Sequence, residues 1–318
     1  MFRKIKVGIV GLGRIAQNAY LPVLASMENV ELHTFMSRTI PKAQQTALRY
    51  GARNVVSTVD EMVKTGIDCA FVLSPKEYHS HAVVPLLRAG IDVFCEKPLA
   101  ITLFEAEQMV DVSEQTGRLL MAGFNRRFAP AYINAKKYFE NCVPDYMFGE
   151  KNRPDTEYRA TMENAIHIID TLRWFCGECD TVEAYARFDD KYFETLTAAQ
   201  FLFKSGTVAQ MGAHRRCGQW IEHMEVYGEH INAIVDYPDF VKIVDNSKEI
   251  CYSMTPLSLG WAENRDKMGY SALAEHFISC VESRKIPLIT AKDAYKTHEL
   301  LDIVLRKAGL PDLSHMPD

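Results

Sequence analysis

The sequence predicts an α/β domain built on a parallel sheet, followed by an α+β domain with a large, mainly antiparallel sheet. Three observations carry this expectation. Up to residue 122, short and fully apolar runs alternate with stretches of helical periodicity, as strands buried on both faces and joined by helices do. From residue 123 the apolar runs lengthen and alternate polar with apolar, the pattern of strands with one packed face. A chain of 318 residues also exceeds one ordinary core, so two domains are expected, 1–122 and 123–318.

Residues 5–10 (Ile-Lys-Val-Gly-Ile-Val) read as a buried strand, closed by the tight turn Gly11-Leu-Gly-Arg-Ile-Ala16 and a helix reaching Ser26. A strand at 30–36 precedes a helix at 41–50, which Pro41 can open because proline is tolerated in the first helical turn. Short strands follow at 55–56, 68–73, 91–95 and 118–122, with helices at 59–64, 79–89 and 103–116 between them. In the second part 130–141 and 162–175 have helical periodicity. Strands are expected at 181–188, 196–203, 207–214, 221–228 and 231–237, with Lys204-Ser-Gly206 and Gly228-Glu-His230 as hairpin turns. Amphipathic helices at 271–283 and 291–308 close the chain.

The net charge of -5 argues against nucleic acid or an anionic membrane as the main partner. The start is basic and then apolar, but the apolar run is only about five residues, short of a secretory core. No run approaches a membrane span, so a cytoplasmic chain is expected. Its eight cysteines are scattered and are expected as thiols. Cys176-Gly-Glu-Cys179 would need a second ligand pair for zinc, with His214 and Cys217 the nearby candidates. It follows a helical stretch, and the reading preferred here is a helix that stops at Gly177, with no metal.

The glycine turn ends a strand and opens a helix, the context in which G-x-G-x-x-A signals a dinucleotide site and the α/β part reads as a Rossmann domain. Gly11 permits the turn, Gly13 lets the backbone approach a pyrophosphate, and Ala16 allows close helix packing. The alternative is a glycine-rich turn without ligand. An acidic residue after the second strand would suit the ribose hydroxyls of NAD(H); Met36-Ser37-Arg38-Thr39 stands there instead. A guanidinium beside hydroxyls suits a 2′-phosphate, so NADP(H) is expected over NAD(H). The bland reading of Arg38 is a solvated loop arginine.

With these motifs placed, the chain resembles the Gfo/Idh/MocA oxidoreductases, and among them the MviM-like group. The resemblance rests on Gly11 to Ala16, Ser74-Pro-Lys-Glu-Tyr-His79, Glu96-Lys97-Pro98, Gly123-Phe-Asn-Arg-Arg-Phe128 and His167-Ile-Ile-Asp170. It implies cofactor contacts at Gly11, Gly13, Arg14, Ile15, Ser37, Arg38, Ser74, Pro75, His79, Glu96, Lys97 and Asn125. It also implies a catalytic set of Lys97, Glu163, His167 and Asp170. A histidine can move a proton near neutral pH, and a lysine can hold the substrate oxygen. Glu163, His167 and Asp170 fall at i, i+4 and i+7, on one face of an α-helix. Glu163 stands where the family often has aspartate, and Arg159-Ala-Thr-Met replaces its usual glycines. The implied activity is hydride transfer between a nicotinamide cofactor and a sugar, polyol or related hydroxy or keto compound. The alternative is a non-catalytic NAD(P)-binding regulator or sensor of the same fold. The second domain is expected to bind substrate and to pair copies into a homodimer or larger homo-oligomer.

Overall fold

The computed structural model describes residues 3–155, 160–188 and 194–310. It forms two compact units. The first comprises the described residues through Phe124 with Tyr270–Tyr295; the second runs from Asn125 to Gly269 and resumes at Lys296.

In the first unit six parallel strands are β1 (Ile5–Val10), β2 (Val30–Met36), β3 (Asn54–Val56), β4 (Cys69–Val72), β5 (Asp92–Cys95) and β6 (Leu120–Ala122), ordered β3-β2-β1-β4-β5-β6. This order, reversing direction at β1, is that of a Rossmann sheet. The connections contain α1 (Leu21–Ser26), α2 (Ile40–Tyr50), α3 (Val59–Lys64), α4 (His79–Arg88) and α5 (Leu103–Thr116). Before α1 the helix widens into a π turn at Ala16–Tyr20, where the Leu21 N–H reaches back to the Ala16 carbonyl. Pro22 explains the widening. It has no N–H, and in a regular α-helix its ring would crowd the carbonyl four residues back.

The second unit holds α6 (Pro130–Lys137), β7 (Tyr146–Asn152), α7 (Ile166–Cys176), β8 (Cys179–Phe188), β9 (Glu194–Phe203), β10 (Val208–His214), β11 (Ile221–Gly228), β12 (Ile231–Asp236), β13 (Phe240–Asp245), β14 (Lys248–Ser253) and the short α8 (Asn264–Lys267). The strands make one sheet, β14-β13-β12-β11-β7-β10-β9-β8, antiparallel except where β7 meets β10. Residues alternate buried and open along β9, β10 and β11, because α6 and α7 pack on one face only. α7 comes close to β7: a Cβ on Gly149 would stand 2.6 Å from Ile168.

α9 (Tyr270–Ser283) and α10 (Ala291–Lys307) close the described chain. α9, which the sequence reading places in the second domain, groups with the first unit. Phe277 meets Phe71 and Phe94 at 5.3 and 5.8 Å, and Arg284 pairs with the buried Asp92. Burial of a large aromatic among such partners outweighs nearness in sequence. No helix among the described residues is long and apolar enough to cross a membrane. The helix end at Gly177 is as expected, with φ +82°, and burial pushes the flanking thiols Cys176 and Cys179 up to about 12 and about 11.

Candidate functional site

In the first unit the ends of β1, β2 and β4 border a cleft of about 310 Å³. Gly11 turns the chain at φ +89°, and a Cβ there would lie 2.6 Å from the Ser74 nitrogen, so only glycine fits. Gly13 is exposed and a Cβ on it would meet nothing within 4 Å, leaving its backbone open to a ligand. At the far wall the Arg38 guanidinium lies 4.7 Å from the Tyr78 ring centroid and donates to its hydroxyl at 3.1 Å. Ser37 Oγ accepts the Thr39 N–H at 3.1 Å, and Lys42 adds a second cation. No carboxylate is among the lining residues. Ser74 Oγ is buried and has no hydrogen-bond partner among the described residues. Open glycine backbone, two cations and an unengaged buried hydroxyl fit a phosphate-bearing dinucleotide.

Behind the cleft, His79 is 1% exposed, and its ring nitrogens lie 2.8 Å from the Pro98 carbonyl and 2.9 Å from the Ser74 carbonyl. It ties together the two loops that follow β4 and β5. Glu96 is also buried: one oxygen takes the Tyr20 hydroxyl, the other the Lys97 N–H at 3.0 Å. Lys97 leaves the end of β5 half-buried between buried neighbours.

In the second unit His167 sits one residue into α7 and is 3% exposed. Asp170 accepts Arg127 in a bidentate pair at 2.9 and 2.6 Å, and Thr297 Oγ1 at 3.0 Å. On β11, Glu222 accepts Arg126 at 2.7 and 2.6 Å, with Lys151 at 3.2 Å and Arg153 at 3.4 Å. Burial alone would raise the Glu222 carboxyl; the three cations overcome it and hold the group far below the usual carboxylate range. Asn125 spends its amide inside this unit, donating to the Met268 carbonyl at 2.8 Å and accepting from Arg126 at 2.9 Å.

Residues 5–124 match the GFO/IDH/MocA oxidoreductase family, NAD-binding Rossmann fold, and residues 137–233 match the GFO/IDH/MocA C-terminal domain. The chain belongs to this family. It is 28% identical over 312 residues to YceM of Salmonella typhimurium, named as an oxidoreductase, covering 96% of this chain and 99% of that one. It is 24% identical to the NAD(+)-dependent scyllo-inositol 2-dehydrogenase of Bacillus subtilis, covering 92% and 91%. The crystal structure of the MviM dehydrogenase from Clostridium difficile superposes with a TM-score of 0.85 at 25% identity, covering 96% and 99%.

Against the family expectation, Gly11, Gly13, Ser37, Arg38, Ser74 and Pro75 line the cleft. Arg14 and Ile15 do not; Leu12 lines it, and Arg14 is exposed. His79, Glu96 and Asn125, expected as cofactor contacts, are not among the lining residues of this cleft, and their polar atoms are engaged by backbone and by Tyr20 and Arg126. Asp170, expected in the catalytic set, is a buried ion-pair partner of Arg127. The face shared by Glu163, His167 and Asp170 assumed α spacing, whereas Thr161–Ala165 is a π turn with a wider repeat. Glu163 is half-buried and Arg159 lies outside the described residues. Reading the sequence missed Lys42 and Tyr78 as lining residues; Lys42 stands in the first turn of α2, four residues after Arg38, and was findable.

Proposed function

We propose that this protein is a cytoplasmic, NADP(H)-preferring oxidoreductase acting on a sugar, polyol or related hydroxy or keto compound. The observation that carries the reading is the cleft at Gly11 and Gly13, walled by Arg38 and Lys42 without a carboxylate. Arg38 is preorganised by Tyr78, so a 2′-phosphate would meet a guanidinium already held in place. Its relative from Bacillus subtilis acts on an inositol, a polyol, which supports the substrate class. The cofactor supplies or accepts the hydride when bound. In this reading the Lys97 ammonium holds the substrate oxygen and stabilises charge developing on it. His167 takes the hydroxyl proton in oxidation and returns it in reduction. Glu163 belongs to the same proposed catalytic set, and Asp170 fixes α7 through Arg127. Substrate binding by the second unit and self-association through its open sheet face belong to the same proposal.

A panel of sugars, inositols and dicarbonyls, followed by nicotinamide absorbance with NAD(H) and NADP(H), tests the activity. With a turned-over compound in hand, Lys97→Met and His167→Ala are each expected to lower kcat by at least about a hundredfold. Dinucleotide affinity should survive both changes. A variant retaining kcat within about tenfold of wild type would remove that residue from its role.

A further inference from the structure

The turn that presents Lys97 is held by a side chain from the other end of the Rossmann sequence. Glu96 Oε2 accepts the Lys97 N–H at 3.0 Å, while Oε1 accepts the Tyr20 hydroxyl. Tyr20 is fully buried, with Phe71, Phe94 and Tyr270 ring centroids at 5.8, 5.2 and 5.6 Å. Packed on these sides, the phenol has little freedom to turn its hydroxyl elsewhere. Burial, then the neighbouring Glu96 charge, raises its pKa well above the ordinary tyrosine value, so it remains a donor.

Local sequence sets this geometry. Tyr20 is the last residue of the π turn that precedes Pro22, and the extra residue in that turn re-aims its side chain relative to a regular helix. On the other side, Gly123 leaves room for the carboxylate: a Cβ there would come within 3.1 Å of the Glu96 Cα, Cδ and Oε1.

We propose that Tyr20 is a positioning residue for Lys97, acting through Glu96 to fix the backbone from which the lysine projects. The proposal rests on the reading of Lys97 as the lysine that faces substrate. The ring of Tyr20 supplies packing, which phenylalanine retains; only the hydroxyl reaches Glu96.

Tyr20→Phe in the full chain separates the two contributions. Three quantities are read: hydrogen exchange of the Lys97 amide, affinity for NADPH, and kcat and KM for a compound that the wild type turns over. The amide is expected to exchange at least about tenfold faster, because the carboxylate that holds it has lost the Tyr20 anchor. NADPH affinity and KM should stay within about threefold while kcat falls about tenfold or more, the signature of a displaced group rather than of lost binding. Glu96→Gln should speed the same exchange, and adding Tyr20→Phe to it should change little, since both act through one contact. A Lys97 amide protected as in wild type in Tyr20→Phe, or fully additive effects in the double variant, would overturn the proposal. Should the wild type turn over no compound, the functional reading fails, and the exchange measurement still decides the role of Tyr20.

Discussion

At Glu222 one carboxylate faces Arg126, Lys151 and Arg153 in a setting where all four side chains are nearly inaccessible. Removing one partner of such a buried charged group costs about 3–5 kcal/mol in comparable cases. Glu222→Gln is therefore expected to lower the thermal midpoint at neutral pH far more than an isosteric surface change does. The sign of the pH dependence follows from the depressed carboxyl. Its stabilisation is complete above the unfolded value of about 4.3 and fades as pH falls below that toward the folded value. Calorimetry from about pH 7 to about pH 3 should show wild type losing stability below about pH 4 and the glutamine variant losing less over that window. A variant as stable as wild type at neutral pH would contradict this. That Gly11, Gly13, Ser37 and Arg38 border one cleft was legible because they lie within a few residues of the ends of their own strands. The hydrogen bonds of His79, Glu96 and Asn125 were not legible because their partners, Pro98, Tyr20 and Met268, are remote in sequence and partly backbone.

Among the elements, the parallel strands were legible because each is a continuous apolar run between breakers. β7 was not. Its Gly149-Glu-Lys-Asn152 segment reads as loop, yet Gly149 is required by Ile168 and Lys151 is buried by Glu222, a residue far along the chain. β13 and β14 were missed because Asn246-Ser247 turns at φ +47° and +66° without the glycine that usually marks such a hairpin. The π turns at Ala16–Tyr20 and Thr161–Ala165 were hidden for a related reason: periodicity assumes a regular helix. Among the described residues no helix covers one face of the assembled sheet, which carries Tyr146, Phe148, Val208, Gln210, Gly212 and Tyr227. Aromatic and small residues on an uncovered face suit pairing with a second copy. Light scattering at micromolar concentration is expected to give a dimer or larger mass, and a strictly monomeric mass would exclude it.

Over the whole molecule, the change of pattern near residue 123 marked the first boundary, while the return of α9 to the first unit was set by Phe277 and Arg284 packing that no local pattern announces. In the proposed function the cleft of the first unit takes a nicotinamide dinucleotide carrying a 2′-phosphate. Calorimetric titration of NADPH and NADH into wild type and Arg38→Ala decides between the two cofactors. A charge-assisted hydrogen bond contributes about 1.5–3 kcal/mol, so Arg38→Ala should weaken NADPH by at least about tenfold and leave NADH nearly unchanged. Wild type should bind NADPH more tightly than NADH. Tighter binding of NADH, or equal loss of both cofactors in the variant, would contradict the 2′-phosphate assignment, and absence of binding by either would contradict the site itself.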